Sequence, residues 1–297
     1  MLNPIAFSIG PLSVHWYGII IGIGALLGLM FAIREGSRFG LAKEFFYDLL
    51  LIGLPSAIVG ARIYYVAFEW DGYKNNLAEI FMIWHGGIAI YGALIGAVIA
   101  AVIYTKRKGY HFWRIADICA PGLITGQMIG RWGNFVNQEA HGGPVSQGFL
   151  ENSLHLPSFI VKQMYIDGQY YHPTFLYESV WSLTGLILLL FLRRRRFLKA
   201  GELFMGYFIW YSIGRFYVEG VRTDSLSFAG PEWLADLLKA LWSPVSFLGW
   251  GTMKAGENIR TSQLLAVLII LVAAAFIMVR RIGKSAVPYH SDIEREI

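Results

Sequence analysis

YGIIIGIGALLGLMFAI, residues 17–33, runs from Tyr17 to Ile33 without a charged side chain. A helix that crosses a bilayer needs roughly 20 mainly apolar residues, and with His15 and Trp16 ahead of it this segment is long enough. It ends in Arg34 and Glu35, not at a small-residue cleavage site, and no basic stretch precedes it. It therefore reads as a retained span and not as a signal peptide.

Working outward, six more segments satisfy the same length argument. Together the spans are about 15–33, 46–68, 84–104, 115–135, 173–192, 202–220 and 262–280. The composition agrees: 56% of the 297 residues are hydrophobic and 15% are charged, with a mean hydropathy of +0.49. Soluble domains carry about a quarter charged residues. The net charge of +5 flanks apolar segments, so it points to topology and anionic headgroups, not to nucleic acid. Cys119 is the single cysteine, which excludes an intrachain disulfide and a cysteine-ligated metal centre. Set between Ile118 and Ala120, it reads as a packed small residue.

Lysine and arginine collect on alternate connections. Arg34, Arg38 and Lys43 form one group, followed by Lys106, Arg107, Lys108 and Arg114, then Arg193 to Arg196 with Lys199. The tail adds Arg280, Arg281, Lys284 and Arg295, whereas the longer opposite connections hold only Lys74, Lys162, Arg222, Lys239, Lys254 and Arg260. The positive-inside rule then places the amino terminus outside and the carboxyl terminus in the cytoplasm. The sequence thus predicts an all-α polytopic membrane protein, one integral membrane domain over residues 1–297 built as a bundle of seven transmembrane helices. Two long outer segments complete it: a polar outer cap at 136–172 and an arm at 221–261, whose residues 231–242 have helical apolar period. Small residues four apart (Gly18/Gly22, Ser56/Gly60, Gly92/Gly96 and Gly122/Gly126/Gly130) predict close helix crossings.

Three arginines break the apolar spans: Arg62, Arg131 and Arg215. A guanidinium at a helix centre costs about 2.5–3.5 kcal/mol on insertion scales, so it faces a partner or a polar cavity. In the predicted topology all three lie toward the outer leaflet. Arg215 has Glu219 at i+4 and Glu219 has Arg222 at i+3, which allows internal pairing. Arg131 has no acidic residue in its own span nearer than Asp117. A cationic cluster at headgroup depth suits a lipid phosphate, which guanidinium groups can grip through two oxygens.

Around Arg131 the chain reads Gly130-Arg131-Trp132-Gly133-Asn134-Phe135-Val136-Asn137-Gln138-Glu139. Arg131 and Asn134 are three apart and share a helix face. This stretch resembles the G-R-x-G-N-F-x-N-x-E signature of the prolipoprotein diacylglyceryl transferase family. The resemblance extends to Ser8-Ile9-Gly10-Pro11, His15-Trp16-Tyr17-Gly18, Gly60-Ala61-Arg62, Trp84-His85-Gly86-Gly87-Ile88, Tyr91-Gly92, His172-Pro173, Leu176-Tyr177-Glu178, and Tyr211, Arg215, Glu219 and Arg222.

The resemblance implies a bacterial plasma-membrane enzyme with its active site toward the outer leaflet. Its reaction moves the diacylglyceryl group of phosphatidylglycerol to the lipobox cysteine of a prolipoprotein signal peptide and releases glycerol 1-phosphate. By the same resemblance Arg131 holds the lipid phosphate with Asn134, and Arg215 neutralises the departing phosphate beside Tyr211 and Glu219. Tyr17, Arg62 and Glu139 join the phosphatidylglycerol site, and no metal or other cofactor is implied. Many relatives carry a histidine, proposed as general base, where this chain has Tyr91. A phenol is a poor base near neutrality, so Tyr91, His85, Glu139 and a mechanism without a dedicated base all stay open. Another phospholipid-headgroup or glycerol transferase would share the arginines, and so, less readily, would a transporter. A transporter needs polar groups through the full membrane depth, and here they favour one leaflet.

Overall fold

The computed structural model describes residues 2–10, 12–283 and 287–290. Pro11, Lys284 and Arg295, which figure in the motifs and charges above, lie outside the described residues. A hairpin of β1 (Ile5–Ile9) and β2 (Leu12–His15) leads into helix α1 (Trp16–Arg38), then α2 (Lys43–Phe68) and one turn, α3 (Trp70–Tyr73). After two short 3-10 turns come α4 (Ile90–Arg107) and α5 (Phe112–Asn137). A polar insertion follows, with β3 (Pro144–Val145), α6 (Ser158–Gln163), β4 (Tyr165–Ile166) and β5 (Gln169–Tyr171). The chain continues through α7 (Thr174–Leu192), α8 (Glu202–Val221), β6 (Ser227–Phe228), α9 (Glu232–Trp242), β7 (Ile259–Arg260) and α10 (Thr261–Ile282). The described residues are mostly helical, and their strands are confined to the first residues and to the two long insertions.

Among the described residues five helices are long and apolar enough to cross a membrane: α1, α2, α4, α7 and α10. Their outer faces carry large apolar side chains such as Leu51, 71% exposed, and Val279, 68% exposed. Runs of that kind belong against lipid, not water. Helices α5 and α8 have comparable length, 26 and 20 residues, but lower apolarity. They are the helices that carry Arg131, Asn134, Arg215 and Glu219.

The segment expected to span 84–104 becomes helical only at Ile90. Gly86 and Gly87 have φ of 87° and 75°, a left-handed backbone that no α-helix accommodates. His85 therefore sits in a 3-10 turn ahead of the helix that carries Tyr91.

The chain forms two compact units, one of residues 1–31 and 119–290, the other including 32–118. In the second unit α2 crosses α4 through the predicted small residues. A Cβ on Gly60 would strike the Gly92 carbonyl oxygen, and one on Gly96 the Ser56 carbonyl oxygen. In the first unit Gly28 meets Gly122, and Gly24 meets Gly126. Gly18, Gly22 and Gly130, named with them from spacing, are open: a Cβ added to any of the three would meet nothing within 4 Å. Helical spacing identifies a small face but not whether another helix covers it.

Helices α7 and α8 are locked by a reciprocal tryptophan pair. Trp181 and Trp210 stack at 4.4 Å, and each indole N–H donates to the other's carbonyl at 2.8 Å. Gly185 and Gly214 leave the room these rings need. The insertion after α5 has its own apolar core of Leu150, Ile160, Val161 and Met164, joined to Phe135 and Phe175. Helix α9 divides its apolar residues: Leu238 and Trp242 are buried against α8, while Trp233, Leu237 and Leu241 stay exposed.

Candidate functional site

Glu178 joins the two central arginines. Its Oε2 lies 3.0 Å from Arg131 Nε on α5, and its Oε1 lies 3.3 Å from Arg215 Nη1 on α8. Arg215 Nη2 reaches Glu219 Oε2 at 2.5 Å, the i+4 pair expected from spacing. The sequence offered Arg131 no partner within its own span, but α7 supplies one. From the sequence, Glu178 stood out only as part of a matched motif. The reasoning applied to the arginines would have flagged it, because a carboxylate in an apolar span also needs a partner. Trp181, one turn on, is half of the tryptophan lock, so the contact that joins α7 to α8 also fixes Glu178 against Arg215.

Arg222 does not pair with Glu219 as the i+3 spacing implied. Helix α8 stops at Val221, and Arg222 is extended, with φ −71° and ψ 149°. Its guanidinium turns instead to Asp224, with Nε–Oδ1 at 2.8 Å and Nη2–Oδ2 at 2.5 Å. Burial lowers the Arg222 pKa, but Asp224, Glu178 and Glu219 outweigh it and the net shift is upward. Burial likewise raises that of Asp224, and Arg222 and Arg215 reverse the shift. The two ion pairs therefore form one electrostatic cluster.

Exposure decides what this cluster can bind. Glu219 and Glu178 are enclosed, at 1% and 9%, while Arg131 and Arg215 keep 21% and 20% of their side chains open. Arg131 uses Nε toward Glu178, which leaves its terminal nitrogens without a partner among the described residues. Two parallel N–H donors of this kind are the usual fork for phosphate or carboxylate.

Asn134 and Tyr211 each lie one turn from an arginine of this cluster, on α5 and α8. The Tyr17 ring lies on Gly133, where a Cβ would approach it to 2.6 Å. Asn134 Nδ2 donates to Glu139 Oε1 at 2.9 Å, and the Glu139 amide donates back to the Asn134 carbonyl at 3.0 Å. Glu139 thus braces the end of α5 and fixes the Asn134 amide. Tyr211 is one turn before Arg215 and stacks near Tyr207, ring centroids 6.3 Å apart. Beyond the signature, Gly142 bridges to Arg222, and the Gly143 amide donates to the Val221 carbonyl at 3.1 Å. These contacts hold the insertion to the end of α8.

Arg62 and Tyr91 belong to the other unit. Arg62 is buried, and its N–H groups serve four backbone carbonyls: Ile80 at 2.9 Å, Gly86 at 2.6 Å, Gly87 at 2.8 Å and Glu79 at 2.5 Å. Its guanidinium carbon lies 5.0 Å from the Tyr73 ring centroid. It organises the 73–87 connection. Tyr91 is 49% exposed in the first turn of α4, with its ring 6.3 Å from that of Tyr64. His85 Nδ1 is 2.8 Å from Glu79 Oε1. Among the described residues no group of three or more His, Cys, Asp or Glu side chains could hold a metal ion.

The family model for prolipoprotein diacylglyceryl transferase matches residues 4–279. The chain is 55% identical over 280 residues to the phosphatidylglycerol–prolipoprotein diacylglyceryl transferase of Bacillus licheniformis, covering 94% of this chain and 93% of the relative. It is 62% identical over 225 residues to the protein of that name from Bacillus velezensis, covering 76% and 82%. A Listeria monocytogenes protein of the same name is 50% identical over 291 residues, covering 98% and 94%.

Proposed function

The chain belongs to the prolipoprotein diacylglyceryl transferase family, and we propose on that premise that it moves the diacylglyceryl group of phosphatidylglycerol onto a prolipoprotein cysteine. The acceptor is the lipobox cysteine of the signal peptide. Its sulfur forms a thioether bond to the glyceryl carbon as the bond from that carbon to the phosphate oxygen breaks. The thiol proton is lost, and glycerol 1-phosphate leaves. The enzyme works in the bacterial plasma membrane as seven spans, amino terminus outside, with the site toward the outer leaflet. The insertion after α5 forms the outer cap, and α9 lies at the interface.

The observation that carries this reading is the open fork of Arg131 beside Arg215, both braced by Glu178. A phosphodiester bears one negative charge and the leaving phosphomonoester more. Fixed guanidinium groups consequently stabilise the transition state better than the bound lipid. Arg131 grips the phosphate, Asn134 and Tyr17 border it, and Arg215 receives the growing charge with Tyr211 and Glu219 orienting it. Glu139 supports the site through Asn134. A thiol is mostly protonated at neutrality, with an ordinary pKa of about 8.5, so it must give up its proton before it can attack carbon.

Purified protein in phosphatidylglycerol vesicles should lipidate a lipobox peptide, whereas vesicles of phosphatidylethanolamine or phosphatidylcholine should support little transfer. Equal transfer from all three would reject the assignment of the donor. No product from any of them, with a folded protein, would reject the reaction.

A further inference from the structure

Arg260 is fully buried, at 0% exposure, and the assigned chemistry makes no use of it. It pairs in a short ladder with Ser227 and immediately precedes α10. Its Nη2 donates to the Gly251 carbonyl at 2.5 Å, and its guanidinium carbon lies 4.3 Å from the Trp250 ring centroid. Its Nε and Nη1 have no hydrogen-bond partner among the described residues. A buried guanidinium left in that condition is costly unless a nearby charge compensates it.

The surroundings identify that charge. The Gly251 amide donates to the Gly220 carbonyl at 2.8 Å. Gln263, three residues after Arg260, donates to the Phe216 carbonyl at 3.1 Å. These contacts bracket the last turn of α8, the turn that carries Glu219. Glu219 is itself buried, and Arg215 is the partner it holds. Burial pulls Arg260 down to about 10, and the charge of Glu219 opposes that fall.

We propose that Arg260 is a positioning residue for the transfer reaction, a buried counter-charge that keeps Glu219 in place and through it fixes the Arg215 guanidinium. The cluster then contains four guanidinium groups (Arg131, Arg215, Arg222 and Arg260) against three carboxylates (Glu178, Glu219 and Asp224). That leaves one positive charge for the single negative charge of a phosphodiester. Without Arg260 the carboxylates balance the remaining arginines, and Arg215 is drawn to Glu219 instead of to the substrate. This inference rests on the transferase reading.

The test compares Arg260→Met, Arg260→Lys, Glu219→Gln and the double variant Glu219→Gln/Arg260→Met in the vesicle assay. Arg260→Met is expected to lower kcat at least tenfold with KM for phosphatidylglycerol within threefold of wild type. Arg260→Lys should recover most of the rate at pH 7 and lose it, relative to wild type, as pH rises to 9, because a buried ammonium gives up its proton more readily than a guanidinium. The double variant should be no slower than Glu219→Gln alone. Multiplying defects, an unchanged kcat in Arg260→Met, or a pH-independent Arg260→Lys ratio would each overturn the proposal.

Thermal unfolding of the four proteins gives a readout independent of activity. The double variant should be more stable than Arg260→Met, and equal instability would count against the coupling even if Arg260→Met does not fold. A wild-type protein without activity would instead reject the transferase reading, and the stability comparison would still report on Arg260 and Glu219.

Discussion

Glu178 holds two guanidinium groups with one carboxylate, so a single atom change separates its charge from its shape. Glu178→Gln should reduce transfer on the order of 10²-fold, because both arginines lose the contact that aims them. Steady-state kinetics with phosphatidylglycerol vesicles checks this, and a rate within threefold of wild type would remove Glu178 from the machinery. Arg131→Lys should be nearly as inactive as Arg131→Ala, since an ammonium cannot replace a planar pair of donors. Full activity in Arg131→Lys would leave only a point-charge role. His172 supplies a pH prediction outside the spans. Burial lowers its pKa from 6.5 to about 4, against an opposing hydrogen bond to the Leu248 backbone. The unfolded chain takes up this proton first, so its contribution is complete above pH 6.5 and is lost as pH falls toward 4, by about 1.4 kcal/mol per unit. Thermal unfolding between pH 7.5 and 4.5 should show this dependence, and His172→Gln should flatten it.

The helices place these side chains through contacts that tolerate little added volume. A Cβ on Gly60 meets the backbone of α4 directly, whereas one on Gly18 meets nothing within 4 Å. Gly60→Val should therefore destabilise the protein by roughly 1–3 kcal/mol or more, the range for overpacking, and Gly18→Ala should be close to neutral. Thermal unfolding in detergent distinguishes them, and similar melting points would mean the α2–α4 crossing is looser than described. The tryptophan lock links packing to chemistry. Gly214 lies against the Trp181 ring, so Gly214→Val should displace α7 from α8 and lower activity more than stability. Spacing alone could not separate Gly18 from Gly24 or Gly28. All recur on α1, and only the helix that arrives opposite decides which of them is a contact.

For the whole molecule, orientation is the property to measure. With Cys119→Ala as background, a cysteine introduced at Glu151 should react with an impermeant maleimide in intact cells, and one at Lys108 should not. The reverse pattern would invert the proposed topology and move the site to the cytoplasmic leaflet. The sequence by itself determined the membrane class, the long helices to within a few residues at most ends, and the presence of cations that needed an anion. Those follow from local quantities: the apolar length required to cross hydrocarbon and the energetic cost of a lone charge there. Folding alone decided which acid meets which arginine. Arg131 takes Glu178 from 47 positions away, Arg222 turns to Asp224 once its helix ends, and Arg62 spends its donors on carbonyls of its own connection. An ion pair depends on where two helices cross and where each one stops. Neither is fixed by the distance between two residues along the chain.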